Sequence, residues 1–194
     1  MTSTAKIGIA SATGIGAIGA GSAYAFYPSS TAPKVTIEKQ LEKDNKKLLK
    51  SSDNALWGIK LNTYTTKIKK TGAKINLSTD NETQLRTFCT NQAIKEFNNQ
   101  NKELYDEIKV VCTVPTNKEK FEKANRKLAT TGDWATKSKE YQTQGINNDA
   151  IAEISKDSVT EDQIKNWCEK AINLEYENDD HKNYKLTYKW CTKD

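Results

Sequence analysis

Four cysteines are the residues best placed to do chemistry: Cys89, Cys112, Cys168 and Cys191. They form two pairs with the same C-x22-C interval. Paired thiols at repeated spacing in a translocated domain favour disulfides. Four cysteines allow three pairings, and the repeated interval selects Cys89–Cys112 and Cys168–Cys191. Four buried free thiols beside Phe88, Trp167 and Trp190 are the alternative. Zinc fits less well, because no C-x2-C occurs and the single histidine, His181, has no counterpart in the first half. A lone histidine also weakens any His-dependent triad. His181 sits in "YENDDHKN", where Asp179 and Asp180 suggest calcium, but EF-hand order is absent and a solvated loop is the simpler reading. Carboxylates are numerous on Lys-rich segments, and no pair stands apart as a glycosidase pair would. No catalytic, metal-binding or cofactor-binding residue is assigned, and no cofactor is expected. An unrecognised hydrolase using carboxylates is carried as an alternative.

A second motif is Gly14-Ile15-Gly16-Ala17-Ile18-Gly19, a literal G-x-G-x-x-G. After a strand and before a helix, such glycines let a backbone approach a pyrophosphate. "KIGIAS" offers a short strand, and Glu38 lies where a ribose-binding acid is expected. Against this, Pro28 and Pro33 interrupt the next strand, and the chain beyond is already occupied by a duplication. A Rossmann-type reductase is therefore the lesser alternative.

The same glycines fit a membrane segment better. Residues 7–27 carry no charge, Lys6 precedes them and Pro28 follows. A helix of that length reaches about 30 Å, the thickness of a hydrocarbon core. Gly8, Ala12, Gly16 and Ala20 recur every fourth residue, a small-residue face where another helix could pack closely. The plainer reading is that Gly and Ala are frequent in export sequences. Ala23-Tyr24-Ala25 provides a signal-peptidase-like site before Phe26. A cleaved signal peptide and an uncleaved transmembrane anchor both fit. Either places the body outside the cell. The expected division is residues 1–27 signal or anchor, 28–35 linker, then two tandem repeats at 36–115 and 116–194.

The duplication is read directly from the chain. "TIEKQLEKDNKKLLK" and "TNKEKFEKANRKLAT" start eighty residues apart and share Thr36/Thr116, Glu42/Glu122, Lys43/Lys123, Asn45/Asn125, Lys47/Lys127 and Leu48/Leu128. Trp57 and Tyr64 recur as Trp134 and Tyr141, and Tyr105 recurs as Tyr184. Each repeat must therefore position its cysteines with the same elements. Thr36 and Thr116 are N-cap candidates for a first helix. A second helix starts near Asp53 and Asp133. Its Trp and Tyr, seven apart, share one face and are more often core than a ligand cage. A third helix starts near Asp80 and Thr160, where Gln163 completes a capping box. "KKLL" reads as a brief strand. "EIKVVCTV" alternates Ile108, Val110, Cys112 and Val114, a strand signature. "YKLTYKWCT" alternates Tyr184, Leu186, Tyr188 and Trp190, which puts Cys191 on the opposite parity. A bulge or an altered register would reconcile the two. The fold class expected is α+β, helix-rich: an N-terminal membrane helix and two lobes of about three helices and one or two short strands.

Charged residues make up 28% of the chain and hydrophobic ones 36%, polar for a globular protein but sufficient for two cores. Only Arg86 and Arg126 are arginine among 30 basic residues, and Lys and Glu interleave along helix-like stretches. Nucleic-acid binding is not expected, since that calls for clustered bases and aromatics on one face. The small-residue N-terminus, the Ser/Pro linker, "TIEKQLEK", "SSDNALWGIKLNTY" and the spaced "TFCT" and "VVCT" resemble the paralogous families of short hypothetical proteins of haemotropic mycoplasmas. The resemblance covers most of the chain as a pattern. It implies a wall-less, AT-rich bacterium and a place at the cell surface, and it carries over no activity and no site residue. The expected role is an exported or membrane-anchored surface protein for host contact or antigenic display. Its exposed loops would be 65–83 and 142–158.

Overall fold

The structure is a computed structural model that describes residues 34–193. These belong to one compact unit, Pro33–Asp194. The expected membrane segment, its Gly8/Ala12/Gly16/Ala20 face and the cleavage site after Ala25 lie outside the described residues. Among the described residues no helix is long and apolar enough to cross a membrane.

Among the described residues eight α-helices run in order: α1 (Ile37–Lys43), α2 (Asn54–Thr63), α3 (Glu82–Ala93), α4 (Lys102–Val111), α5 (Asn117–Lys123), α6 (Trp134–Gln144), α7 (Glu161–Ala171) and α8 (Lys182–Cys191). The starts follow local chemistry. Thr36 and Thr116 accept from the backbone N–H three residues on, and Glu119 reaches back to the Thr116 N–H. Thr160 and Gln163 form the same reciprocal box before α7. Asp53 and Asp133 instead accept from the N–H groups of Lys50 and Thr130, closing the turn that feeds α2 and α6. Beyond α2 the helix widens into a π-helical turn, Tyr64–Ile68, and ends at Gly72 with φ 77°.

The short helices α1 and α5 stop alike. Asn45 and Asn125 adopt φ of 53° and 54°, the left-handed region that asparagine tolerates. The next N–H groups, of Lys46 and Arg126, donate back to Leu41 and Phe121, as in a Schellman motif. Asn125→Ala is expected to cost about 1 kcal/mol through the left-handed penalty, and Asn125→Gly to be neutral or stabilising. Urea melts of the two variants check this ordering.

The expected strands are not there, and the α+β class is corrected to all-helical among the described residues. "EIKVVCTV" lies largely in α4 and "YKLTYKWCT" in α8. The extended pieces that remain are four isolated bridges: Thr36↔Glu96, Leu48↔Thr113, Thr116↔Glu175 and Leu128↔Thr192. "KKLL" contributes only the Leu48 bridge. The physical reason is periodicity. Tyr105, Ile108 and Val111 of α4 and its C-cap Cys112 are buried, while Val110, needed by the strand pattern, is exposed. In α8 Tyr184, Thr187, Trp190 and Cys191 are buried and Tyr188 is exposed. Tyr105 to Cys112 and Tyr184 to Cys191 are both seven-residue steps, two helical turns. The parity conflict between the two strand readings vanishes once both segments are helices.

The packing repeats at the same spacing as the sequence. Leu49 N–H donates to Cys112 O and Ala129 N–H to Cys191 O, both at 2.9 Å. Phe97 meets Tyr105 at 4.7 Å between ring centroids, and Tyr176 meets Tyr184 at 5.0 Å. One core gathers Ile37, Leu41, Trp57, Tyr64, Leu85 and Ile108 among others. A second gathers Trp134, Tyr141, Ile151, Ile164 and Trp190. Trp57 and Tyr64 are fully buried, as is Tyr141, and Trp134 is nearly so. These aromatics anchor loops to the cores. Trp57 Nε1 donates to Lys50 O, and Tyr64 Oη donates to Ile75 O. Tyr141 Oη donates to Ile154 O and accepts from Ile151 N. The disulfides Cys89–Cys112 and Cys168–Cys191 join α3 to the end of α4 and α7 to the end of α8, each with Cα atoms 5.4 Å apart. They tie helix to helix, where the strand reading had them tie helix to strand.

Candidate functional site at the seam between the halves

The two halves meet where α2 of the first packs against α5 of the second. One side of this seam is apolar. Ile59, Phe121, Tyr176 and Tyr184 form a third buried cluster, with Leu56 and Leu128 against it. Phe121 stacks on Tyr184 at 5.4 Å.

Beside the apolar cluster sits a buried ion pair. Lys60 on α2 is 2% exposed. Its ammonium donates to Glu119 Oε1 and Oε2 at 2.8 and 2.9 Å and to Val110 O at 2.8 Å. All three of its hydrogens are thus used. Val110 O is one of the last carbonyls of α4, where a cation meets the negative end of the helix dipole. Glu119 also accepts from the Thr63 hydroxyl at 2.9 Å and the Thr116 N–H at 2.8 Å. One carboxylate therefore caps α5, fixes Lys60 and links the halves. Burial lowers the Lys60 pKa; Glu119 opposes this, and Lys46 and Lys67 add to the lowering.

The second half holds a partial copy. Lys137, which matches Lys60 seventy-seven residues on, donates to Lys189 O at 3.3 Å and reaches Glu140 at 3.3 Å. Lys189 stands where Val110 does in the first half. The Lys137 side chain is 15% exposed against 2% for Lys60, and its carboxylate, Glu140, comes from its own helix.

Two clefts flank α5. The one on the Glu119 side has a volume of about 290 Å³ and is lined by Lys46, Lys60, Lys67, Lys109 and Lys118 together with Thr63, Thr113 and Thr116. Five segments supply the five lysines, and Glu119 is the only carboxylate in the lining. The cleft on the other side is aromatic. Lys120 lies 4.9 Å from the Tyr176 ring and pairs with Asp179 at 3.0 Å. Tyr184 is pushed up to about 12, chiefly by burial, with Asp179 adding to it.

The other residues singled out in the sequence are placed as follows. Asp179 bonds Tyr176 Oη and Lys120, and Asp180 bonds Lys185, so the acidic run is engaged with protein cations. His181 faces Glu177 at 3.3 Å. Among the described residues no group of three or more His, Cys, Asp or Glu could hold a metal ion. The loops 65–83 and 142–158 are partly committed to packing: Ile75 and Leu77 enter the first core, Ile151 and Ile154 the second. The Lys60–Glu119 pair had not been singled out. Its sequence signal is the Lys60/Lys137 match, together with Glu119 standing where the first repeat has Lys39.

No family model, curated protein or solved structure matches the chain.

Proposed function

We propose that the chain is an exported or membrane-anchored surface module that presents a rigid, disulfide-braced helical body for host contact or antigenic display. The observation that carries this reading is the pair of disulfides, Cys89–Cys112 and Cys168–Cys191. Disulfides persist in oxidising, extracytoplasmic compartments and are rare where glutathione and thioredoxin keep thiols reduced. The uncharged segment 7–27 supports the same address, as does the resemblance to the paralogous families of short hypothetical proteins of haemotropic mycoplasmas. The body would offer the exposed parts of 65–83 and 142–158, and the seam clefts, to a partner.

Intact source cells treated with trypsin test the address. The body is expected to be digested while a cytoplasmic marker survives. Survival of the body on intact cells, with digestion after lysis, would refute it. Blocking free thiols during lysis and then reducing gives a second readout. All four cysteines are expected to become alkylated only after reduction; labelling without reduction counts against export.

A further inference from the structure

We propose that the cleft on the Glu119 side of the seam binds one tetrahedral oxyanion group, the phosphate or sulfate ester of a small molecule, between Lys46 and Lys118. The case begins with charge. Five lysines from α2, α4, α5, the π-helical turn and the turn after α1 converge on a concavity lined by a single carboxylate. Glu119 is already spent on Lys60, Thr63 and Thr116. Lys67 is balanced by Glu122 at 2.6 Å, and Lys109 by Asp106 at 3.3 Å and Asp44 at 3.7 Å. Lys46 and Lys118 have no carboxylate partner among the described residues. Two unbalanced ammonium groups therefore remain at the rim of a cleft whose floor holds a third, Lys60.

Like charges held together by the fold raise the local potential, and low-dielectric walls focus it. Burial is the chief cause of the lowered Lys60 pKa, and the Lys46 and Lys67 charges add to it in the same direction. A doubly charged anion relieves this repulsion. At about 290 Å³ the space lies at the small end of ligand sites, suited to an anionic head and a short substituent. Lysines bind as mobile point charges and lack the planar fork of arginine. The site is thus selective for charge and size, and tolerant between phosphate and sulfate. It does not depend on where the chain resides, so it stands or falls separately from export.

The test uses the full chain in a non-ionic detergent that carries no phosphate or sulfate group. Sodium phosphate and sodium sulfate are titrated at constant ionic strength, balanced with sodium chloride, and followed by amide and lysine-ammonium NMR shifts. Saturable one-to-one binding is expected, with shifts concentrated at Lys46, Lys118, Thr113 and Thr116. The variant Lys46→Gln/Lys118→Gln should weaken it at least tenfold, whereas the surface control Lys95→Gln/Lys170→Gln leaves it unchanged. Thermal melting confirms that both variants fold. Preference for phosphate or for sulfate assigns the source of the group, and either supports the site. Shifts no larger than those from chloride, or full binding by the Lys46/Lys118 variant, would overturn it.

Discussion

Glu119→Leu is expected to destabilise the protein by about 3–5 kcal/mol, the range for removing one partner of a buried pair. The variant leaves the Lys60 ammonium inside the seam with only Val110 O. It also strips the acceptor from the Thr116 N–H and leaves the Thr63 hydroxyl with only Ile59 O at 3.3 Å. Lys60→Met should cost less, because Glu119 keeps Thr63 and Thr116. Lys60→Met/Glu119→Leu is the informative variant. Replacing both members with apolar groups of similar size removes the charges and their desolvation together, so the double change should recover much of the loss. The pH dependence has a definite sign. Burial lowers the folded Lys60 pKa, so the unfolded chain binds more protons over the window from that lowered value up to the ordinary lysine value near 10.4. Stability therefore rises with pH across this window. The slope should be steeper in Glu119→Leu, where the carboxylate that opposed the lowering is gone. Urea melts of the four proteins between pH 6 and 10 measure both effects. A Glu119→Leu cost under 1 kcal/mol, or a double variant worse than the sum of the singles, contradicts the account.

What the sequence revealed follows the range over which each signal acts. Caps at Thr36, Thr116 and Thr160 rest on contacts three residues away and were legible. The disulfide pairing was legible because duplication turned a long-range question into a comparison of two intervals. The terminal segments were misread as strands because "EIKVVCTV" satisfies period two and nearly satisfies period three to four. Tyr105, Ile108, Val111 and Cys112 carried the helical signal, and the shared seven-residue step from Tyr to Cys would have decided it. The seam was the least legible part. Lys60 and Glu119 are 59 residues apart, and the Thr116–Glu119 capping box gives Glu119 a local role without pointing to Lys60. The lysine cleft needs five segments in place before its charges count as a cluster.

The two ends of the described body differ from its seam. Leu56, Ile59, Lys60 and Thr63 of α2 meet α5, and their matches are Asp133, which precedes α6, and Thr136, Lys137 and Glu140 on α6. The apolar pair Leu56 and Ile59 is thus replaced by polar residues in the second half. Glu119 of α5 engages Lys60 of α2 and Glu122 engages Lys67 of the π-helical turn, while Lys39 and Glu42, their matches on α1, lie exposed.

Removing the disulfides tests how much of this body the cores can hold by themselves. Each bridge closes a loop with a sequence separation of 23. The chain-entropy model assigns such a loop about 3 kcal/mol. Against a typical domain stability of about 5–15 kcal/mol, losing one bridge should be survivable, while losing both, about 6 kcal/mol, removes the whole margin if this polar body lies at the low end of that range. The two pairs are not equivalent. The first core is backed by Phe88, Phe97, Leu104 and further partly buried apolar side chains, the second by Ala129, Trp167 and Ile172. Cys168→Ser/Cys191→Ser is thus expected to lower the melting temperature more than Cys89→Ser/Cys112→Ser. It should also remove amide protection first in α7 and α8, whose ends it unties. The four-serine variant is expected to lose its cooperative transition. Calorimetry and hydrogen exchange read both results. A four-serine protein that still melts cooperatively, within about 2 kcal/mol of the parent, would mean that the side-chain cores and the Lys60–Glu119 seam hold the fold without the bridges.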